Sequence, residues 1–114
     1  MAEERINREM IAELRAVMED EFPMLLETFF SDTELRLVAI EQALQRGDAE
    51  GFGRACHSLK GSASNLGLAL LLKVCREGEE RGRSGSLEGC QALFAEIRRE
   101  FAEVLPLLKA EMVA

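Results

Sequence analysis

His57 is the one imidazole in this chain of 114 residues, and the residue types spaced around it bear on chemistry. Wound as a helix at about 100° per residue, Phe52, Ala55, Cys56, Leu59, Ala63 and Leu66 gather within roughly 60° of one direction, a core-facing stripe. His57 points about 140° away from Phe52, toward solvent. Gly53 and Lys60 precede and follow it by one turn, Gly61 lies beside Lys60, and Ser64 stands a further turn along. A solvent-exposed imidazole titrates near 6.5, so much of it is neutral and nucleophilic near pH 7. Glycine costs about 1 kcal/mol relative to alanine inside a helix. Two glycines beside an outward histidine therefore read as clearance, which lets another molecule come close to the ring. Lys60 places an ammonium where an anion on that ring would need one.

Other chemistries fit less well. A lone His with no second His or Cys on its face lacks a metal ligand set. Cys56 and His57 diverge by about 100°, so the thiol faces the core and cannot pair with the ring as a nucleophilic dyad. A general base acting on a small molecule needs a concave pocket with convergent polar groups. An outward helix face offers none, and no phosphate loop, nucleotide motif or second base adjoins His57 in the sequence. The plainest alternative is a solvated histidine beside a solvated lysine.

The stretch His-Ser-Leu-Lys-Gly-Ser-Ala-Ser-Asn-Leu-Gly at 57–67 resembles the signature of histidine-containing phosphotransfer (HPt) domains. Ala55, His57, Leu59, Lys60, Gly61, Ser62, Leu66 and Gly67 match it, and Cys56 stands where the family commonly has Ala. The resemblance covers roughly residues 20–110. It implies that His57 is the phosphoacceptor, that Lys60 steadies the phosphoryl group, and that Gly53, Gly61 and Ser64 form a rim for access and docking. It also implies receiver domains of hybrid sensor kinases and response regulators as partners. No cofactor is expected on this chain, the divalent metal being expected on the receiver. One departure is Gly78, where many such sequences carry a larger apolar residue before a glutamate; it is expected to loosen the distal end of its helix.

The elements that must hold His57 follow from periodicity. Asn7 caps a first helix over about 8–19, with Ile11, Leu14, Val17 and Met18 on its apolar side. Residues 1–6 are expected to fray. Pro23 fits the first turn of a second helix over about 23–46, whose stripe includes Met24, Leu26, Phe29, Phe30, Leu37, Ile40 and Leu44. Gly47 ends it, and Asp48 caps the helix that carries His57. Gly67 ends that one, and a fourth follows over about 68–83. Ser86 is expected to cap the last helix. Leu87, Cys90, Phe94, Ile97, Phe101, Val104, Leu108 and Met112 give it the cleanest amphipathic pattern, which Pro106 should kink or end near Val104. No stretch alternates with period two over a useful length.

These features predict an all-α chain: an antiparallel up-down four-helix bundle with a short additional N-terminal helix, in one domain over 1–114. The formal net charge of −7 argues against nucleic acid or an anionic membrane as partner. No apolar run approaches the roughly 20 residues of a membrane span, and MAEERINREM carries no signal-peptide core. A cytoplasmic monomer is expected. The three cysteines form no CxxC pair and sit on apolar faces, as reduced core residues do. The functional expectation is a stand-alone, bacterial-type phosphorelay intermediate. It takes a phosphoryl group onto His57 from a receiver aspartyl-phosphate and passes it to another, without autokinase activity because no ATP-binding domain is present. The alternative is a helical-bundle adaptor that docks receiver or kinase domains without transfer.

Overall fold

The computed structural model describes residues 4–113, and all of its regular structure is helical. Helix α1 runs Arg8–Met18, α2 Phe22–Arg46, α3 Ala49–Asn65, α4 Ala69–Ser84 and α5 Cys90–Met112. The caps explain the boundaries. Asn7 accepts a hydrogen bond from the Met10 amide (3.0 Å), and Asp48 accepts one from the Gly51 amide (2.8 Å). Each satisfies an amide that the first helical turn leaves without a partner. Gly47 closes α2 with a left-handed backbone, φ 69°, which glycine adopts without a Cβ clash. Between α1 and α2 the chain turns at Glu19 (φ 50°) and passes through a 3-10 turn, Glu19–Glu21, before Pro23 enters the first turn of α2.

Helices α2 to α5 form the four-helix bundle, each packing against its neighbours in chain order and α2 closing against α5. Short connections between successive helices make neighbours antiparallel. The core contains Leu26, Phe29 and Ile40 of α2, Phe52, Cys56, Leu59 and Ala63 of α3, Leu71 and Cys75 of α4, and Phe94, Ile97, Phe101, Val104 and Leu108 of α5. Phe29 and Phe101 meet edge to face, ring centroids 6.1 Å apart, across the α2–α5 interface. Helix α1 covers one end by burying Ile11 against the bundle, with Leu14 and Met18 beside it.

Several expectations are corrected. Residues 4–6 do not fray: Ile6 is buried in the core, and Arg5 pairs with Glu100 of α5 at 3.1 Å. Residues 1–3 lie outside the described residues. Val17 and Met24, assigned to apolar stripes, are exposed, whereas Thr33 is buried. Ser86 does not cap α5; it accepts from the Glu88 amide in the preceding turn (3.2 Å), and α5 starts after Gly89 in a left-handed conformation (φ 76°). Pro106 does not end α5, which continues to Met112. Its missing amide removes one backbone hydrogen bond near the end of a long helix whose buried face continues through Leu108.

Gly78 does the opposite of loosening α4. A Cβ there would lie 2.5 Å from Cys56 Sγ and 3.3 Å from Cys56 Cβ. Likewise, a Cβ on Gly53 would lie 3.2 Å from Gly82 Cα, and one on Gly82 would overlap the Gly53 backbone. Helices α3 and α4 therefore approach backbone to backbone, and theirs is the most extensive pairing in the bundle. Gly61, in contrast, has nothing within 4 Å of a built Cβ. Gly82→Ala should destabilise the fold by about 2 kcal/mol or more, since no flexible side chain is available to give way. Gly61→Ala should be neutral or stabilising by up to about 1 kcal/mol. Urea unfolding of the two variants checks the contrast; equal effects would contradict the helix contact described.

Candidate functional site

His57 projects from the middle of α3 with 62 % of its side chain exposed. The stripe on the other side of the helix, Phe52, Cys56, Leu59 and Ala63, is buried and fixes that orientation. What the linear sequence did not place is the group behind the ring. Glu79 of α4 lies against His57, its side chain only 4 % exposed. His57 Nδ1–H donates to Glu79 Oε2 at 2.6 Å, and Lys60 Nζ donates to Oε1 at 2.5 Å. Arg83, one turn further along α4, pairs with Oε2 at 2.8 Å. One buried carboxylate thus gathers the imidazole, an ammonium and a guanidinium.

The hydrogen bond from Lys60 holds the Glu79 carboxyl below the ordinary carboxylate range. Burial pushes it the other way, and His57 and Arg83 reinforce Lys60. Glu79 is therefore ionised at neutral pH and can only accept hydrogen bonds. Nδ1 must then carry the imidazole hydrogen, which leaves the lone pair of a neutral ring on Nε2. A neighbour that sets the tautomer and orientation of a histidine also sets which nitrogen can attack. Glu79 is a positioning residue: its carboxylate pairs with His57, Lys60 and Arg83, and the atom it leaves free belongs to His57.

The sequence-predicted residues fall into three groups. His57 and Lys60 are brought together through Glu79. Gly61 and Ser64 line the exposed outer strip of α3 beyond the ring. Gly53 is corrected: it is buried against Gly82, so its missing Cβ admits α4 rather than a visitor to the ring. The outward face is also not featureless. A shallow cleft of about 440 Å³ lies between α3 and α4 beside His57, with Arg54, Glu79 and Arg83 among its lining residues. Of its two carboxylates, Glu79 is engaged by three side chains and Glu50 pairs with Arg54 at the exposed edge. The one signal that could have found Glu79 is its place after Gly78, where the family pattern puts a glutamate.

No three His, Cys, Asp or Glu side chains converge to hold a metal ion among the described residues. The cysteines are free and buried. Burial, helped by Cys90 and then Glu79, pushes the Cys56 thiol up to about 12, and burial raises Cys75 and Cys90 as well. They stay protonated at neutral pH and act as small apolar residues.

The pKa of Glu79 gives the site a pH signature. A carboxyl lowered in the folded state stabilises the fold fully above the ordinary carboxylate range, and loses that contribution as pH falls through its folded value. The stability difference between the protein and Glu79→Gln should therefore be largest near pH 7 and shrink below about pH 4. Urea unfolding across that range measures it; a gap independent of pH would mean the carboxylate charge contributes nothing.

The same site can be compared with known proteins. The Hpt domain family model matches residues 24–106. A crystal structure of histidine-containing phosphotransfer protein B (HptB) from Pseudomonas aeruginosa PAO1 superposes with a TM-score of 0.91 and 44 % identity, over 96 % of each chain. Histidine-containing phosphotransfer protein 4 of Arabidopsis thaliana is 30 % identical over 81 % of this chain and 77 % of its own length. Pseudo histidine-containing phosphotransfer protein 1 of Oryza sativa subsp. japonica is 32 % identical over 65 % of this chain, which spans 41 % of that protein. The all-α bundle is the fold of HptB, and with a family match over most of its length this chain belongs to the Hpt domain family, whose role is histidine phosphotransfer in phosphorelays.

Proposed function

We propose that His57 is the phosphoryl carrier of this chain, taking the group from an aspartyl-phosphate on one receiver domain and yielding it to an aspartate on another. The observation that carries this reading is the engagement of Nδ1 by the ionised Glu79, which leaves Nε2 of a solvent-facing ring as the free nucleophile. In the transfer, the Nε2 lone pair forms a bond to phosphorus as the bond from phosphorus to the aspartyl oxygen breaks, and the electron pair leaves on the carboxylate. Passage to the next receiver reverses these roles. Phosphoryl transfer depends mainly on positioning and charge neutralisation. This chain supplies the first through Glu79 and part of the second through Lys60, while the divalent ion is assigned to the receiver. A phosphoryl group adds about −1.5 to −2 of charge. Lys60, one helical turn from His57, is the cation assigned to it. We place this relay in the cytoplasm, where three protonated, buried thiols meet no oxidising pressure.

Docking should cover the outer strip of α3 and extend toward α2. A mainly apolar groove there runs between α1, α2 and α3, with Leu14, Met18, Leu25, Phe29, Ser62 and Leu66 among its lining. The adaptor reading, docking without transfer, would leave His57 a surface residue; its oriented ring and open Nε2 favour the carrier.

Incubation with a radiolabelled, phosphorylated receiver domain tests the reading. Label should appear on the intact protein, be lost in acid and survive base, and be absent from His57→Gln. Binding without labelling across several donors would favour the adaptor. Gly61→Leu should fold normally, given the open space at that position, yet transfer at least about ten-fold more slowly, because its side chain would occupy the approach to the ring. Transfer at the unaltered rate would remove the clearance role of Gly61.

A further inference from the structure

The charge of this protein is unevenly distributed. The chain holds 14 Lys and Arg against 21 Asp and Glu. Helices α3 and α4 together carry six of the former and four of the latter, a net charge of +2. The remaining residues carry eight and seventeen, a net charge of −9. The two helices that build the His57 site are thus a basic strip on an acidic protein.

Four of the six cations in that strip lie one turn from His57 or Glu79; Arg81 instead donates to the Glu88 carbonyl oxygen. Arg54 lies one turn before His57 on the exposed side of α3, and Lys60 one turn after it. Arg83 and Arg76 lie one turn either side of Glu79, along the edge of α4 that faces α3. Lys60 and Arg83 are tied to Glu79. Arg54 makes only an exposed pair with Glu50, 2.7 Å long and one turn away on the same helix, the kind of pair that gives way readily. Arg76 is exposed and has no carboxylate partner among the described residues. Two of the four cations are therefore available to something outside the molecule.

We propose that Arg54 and Arg76 form an electrostatic docking rim on either side of His57, which orients an approaching receiver domain by the acidic surface around its phosphorylated aspartate. This rests on the phosphotransfer reading above. An aspartyl-phosphate is anionic, and a divalent ion held beside it is balanced by the carboxylates that bind it, so the site as a whole stays anionic. A basic strip on an otherwise acidic protein attracts such a surface, while the acidic remainder repels it from every other face. Charge arranged in this way raises encounter rates by 10-fold to 1,000-fold at low salt and fades as the screening length shortens. The rim acts on encounter; Lys60 and Glu79 act at the ring.

The test is the association rate of a fluorescently labelled receiver domain of a hybrid sensor kinase, measured by stopped flow across a salt series. It is run in the His57→Gln background, so that docking is read without chemistry. Arg54→Gln with Arg76→Gln should lower the association rate about five-fold to ten-fold at 20 mM salt, with the loss shrinking to under two-fold at 500 mM. Arg98→Gln with Lys109→Gln, on α5, removes equal charge elsewhere and should lower the rate by less than two-fold. Thermal unfolding of both pairs establishes that they fold. Equal effects of the two pairs, or a rim effect independent of salt, would overturn the proposal. Failure of His57 to take label would instead refute the carrier reading, leaving the association rates to be judged on their own.

Discussion

The contact between the backbones of α3 and α4 at Gly53 and Gly82 is the constraint on which the site depends. With Gly78 against Cys56, it sets a separation that two helices carrying ordinary side chains at those positions could not reach. Only at that separation does the short side chain of Glu79 meet a ring on the neighbouring helix. A methyl group at Gly82 would wedge the pair apart at Gly53, one turn from His57, so the packing of glycine against glycine also bears on the positioning of the imidazole.

A buried carboxylate is expensive unless it is paired and hydrogen-bonded. Glu79 meets that condition with three partners, and each is one the proposed chemistry can use. The imidazole is oriented, and the two cations that neutralise the carboxylate stand one turn from the place where phosphoryl charge would arrive. Such a cluster adds less to stability than its short distances suggest, because desolvation offsets much of the attraction. Its value lies in the single geometry it enforces on His57.

The other end of the molecule is held by different means. Arg5 reaches Glu100, while Arg8 and Arg15 converge on Glu111 near the end of α5. Ile6 and Ile11 sit beneath them in the core. The N-terminal segment is thereby part of the bundle, and α1 forms one wall of the apolar groove that also involves α2 and α3. A surface offered to a partner on that side depends on α1 staying docked.

The sequence by itself determined the helices and the outward direction of His57. An apolar stripe repeating every three to four residues can be buried only one way, so the face opposite Phe52 and Leu59 had to be exposed. Asn7, Gly47 and Asp48 marked helix ends because capping is a local matter of side-chain reach and backbone sign. The start of α5 was misplaced because Ser86 had the right chemistry for a cap, but its oxygen was taken by the turn before the helix. Tertiary structure decided whatever depended on two helices at once. Gly53 and Gly61 are the same residue type one turn either side of His57, yet one faces a neighbouring backbone and the other open space. Gly78 read as a weakness in one helix and is a contact between two. Glu79 could not be assigned to His57 from a separation of 22 residues, because nothing local to either residue records how closely their helices pack.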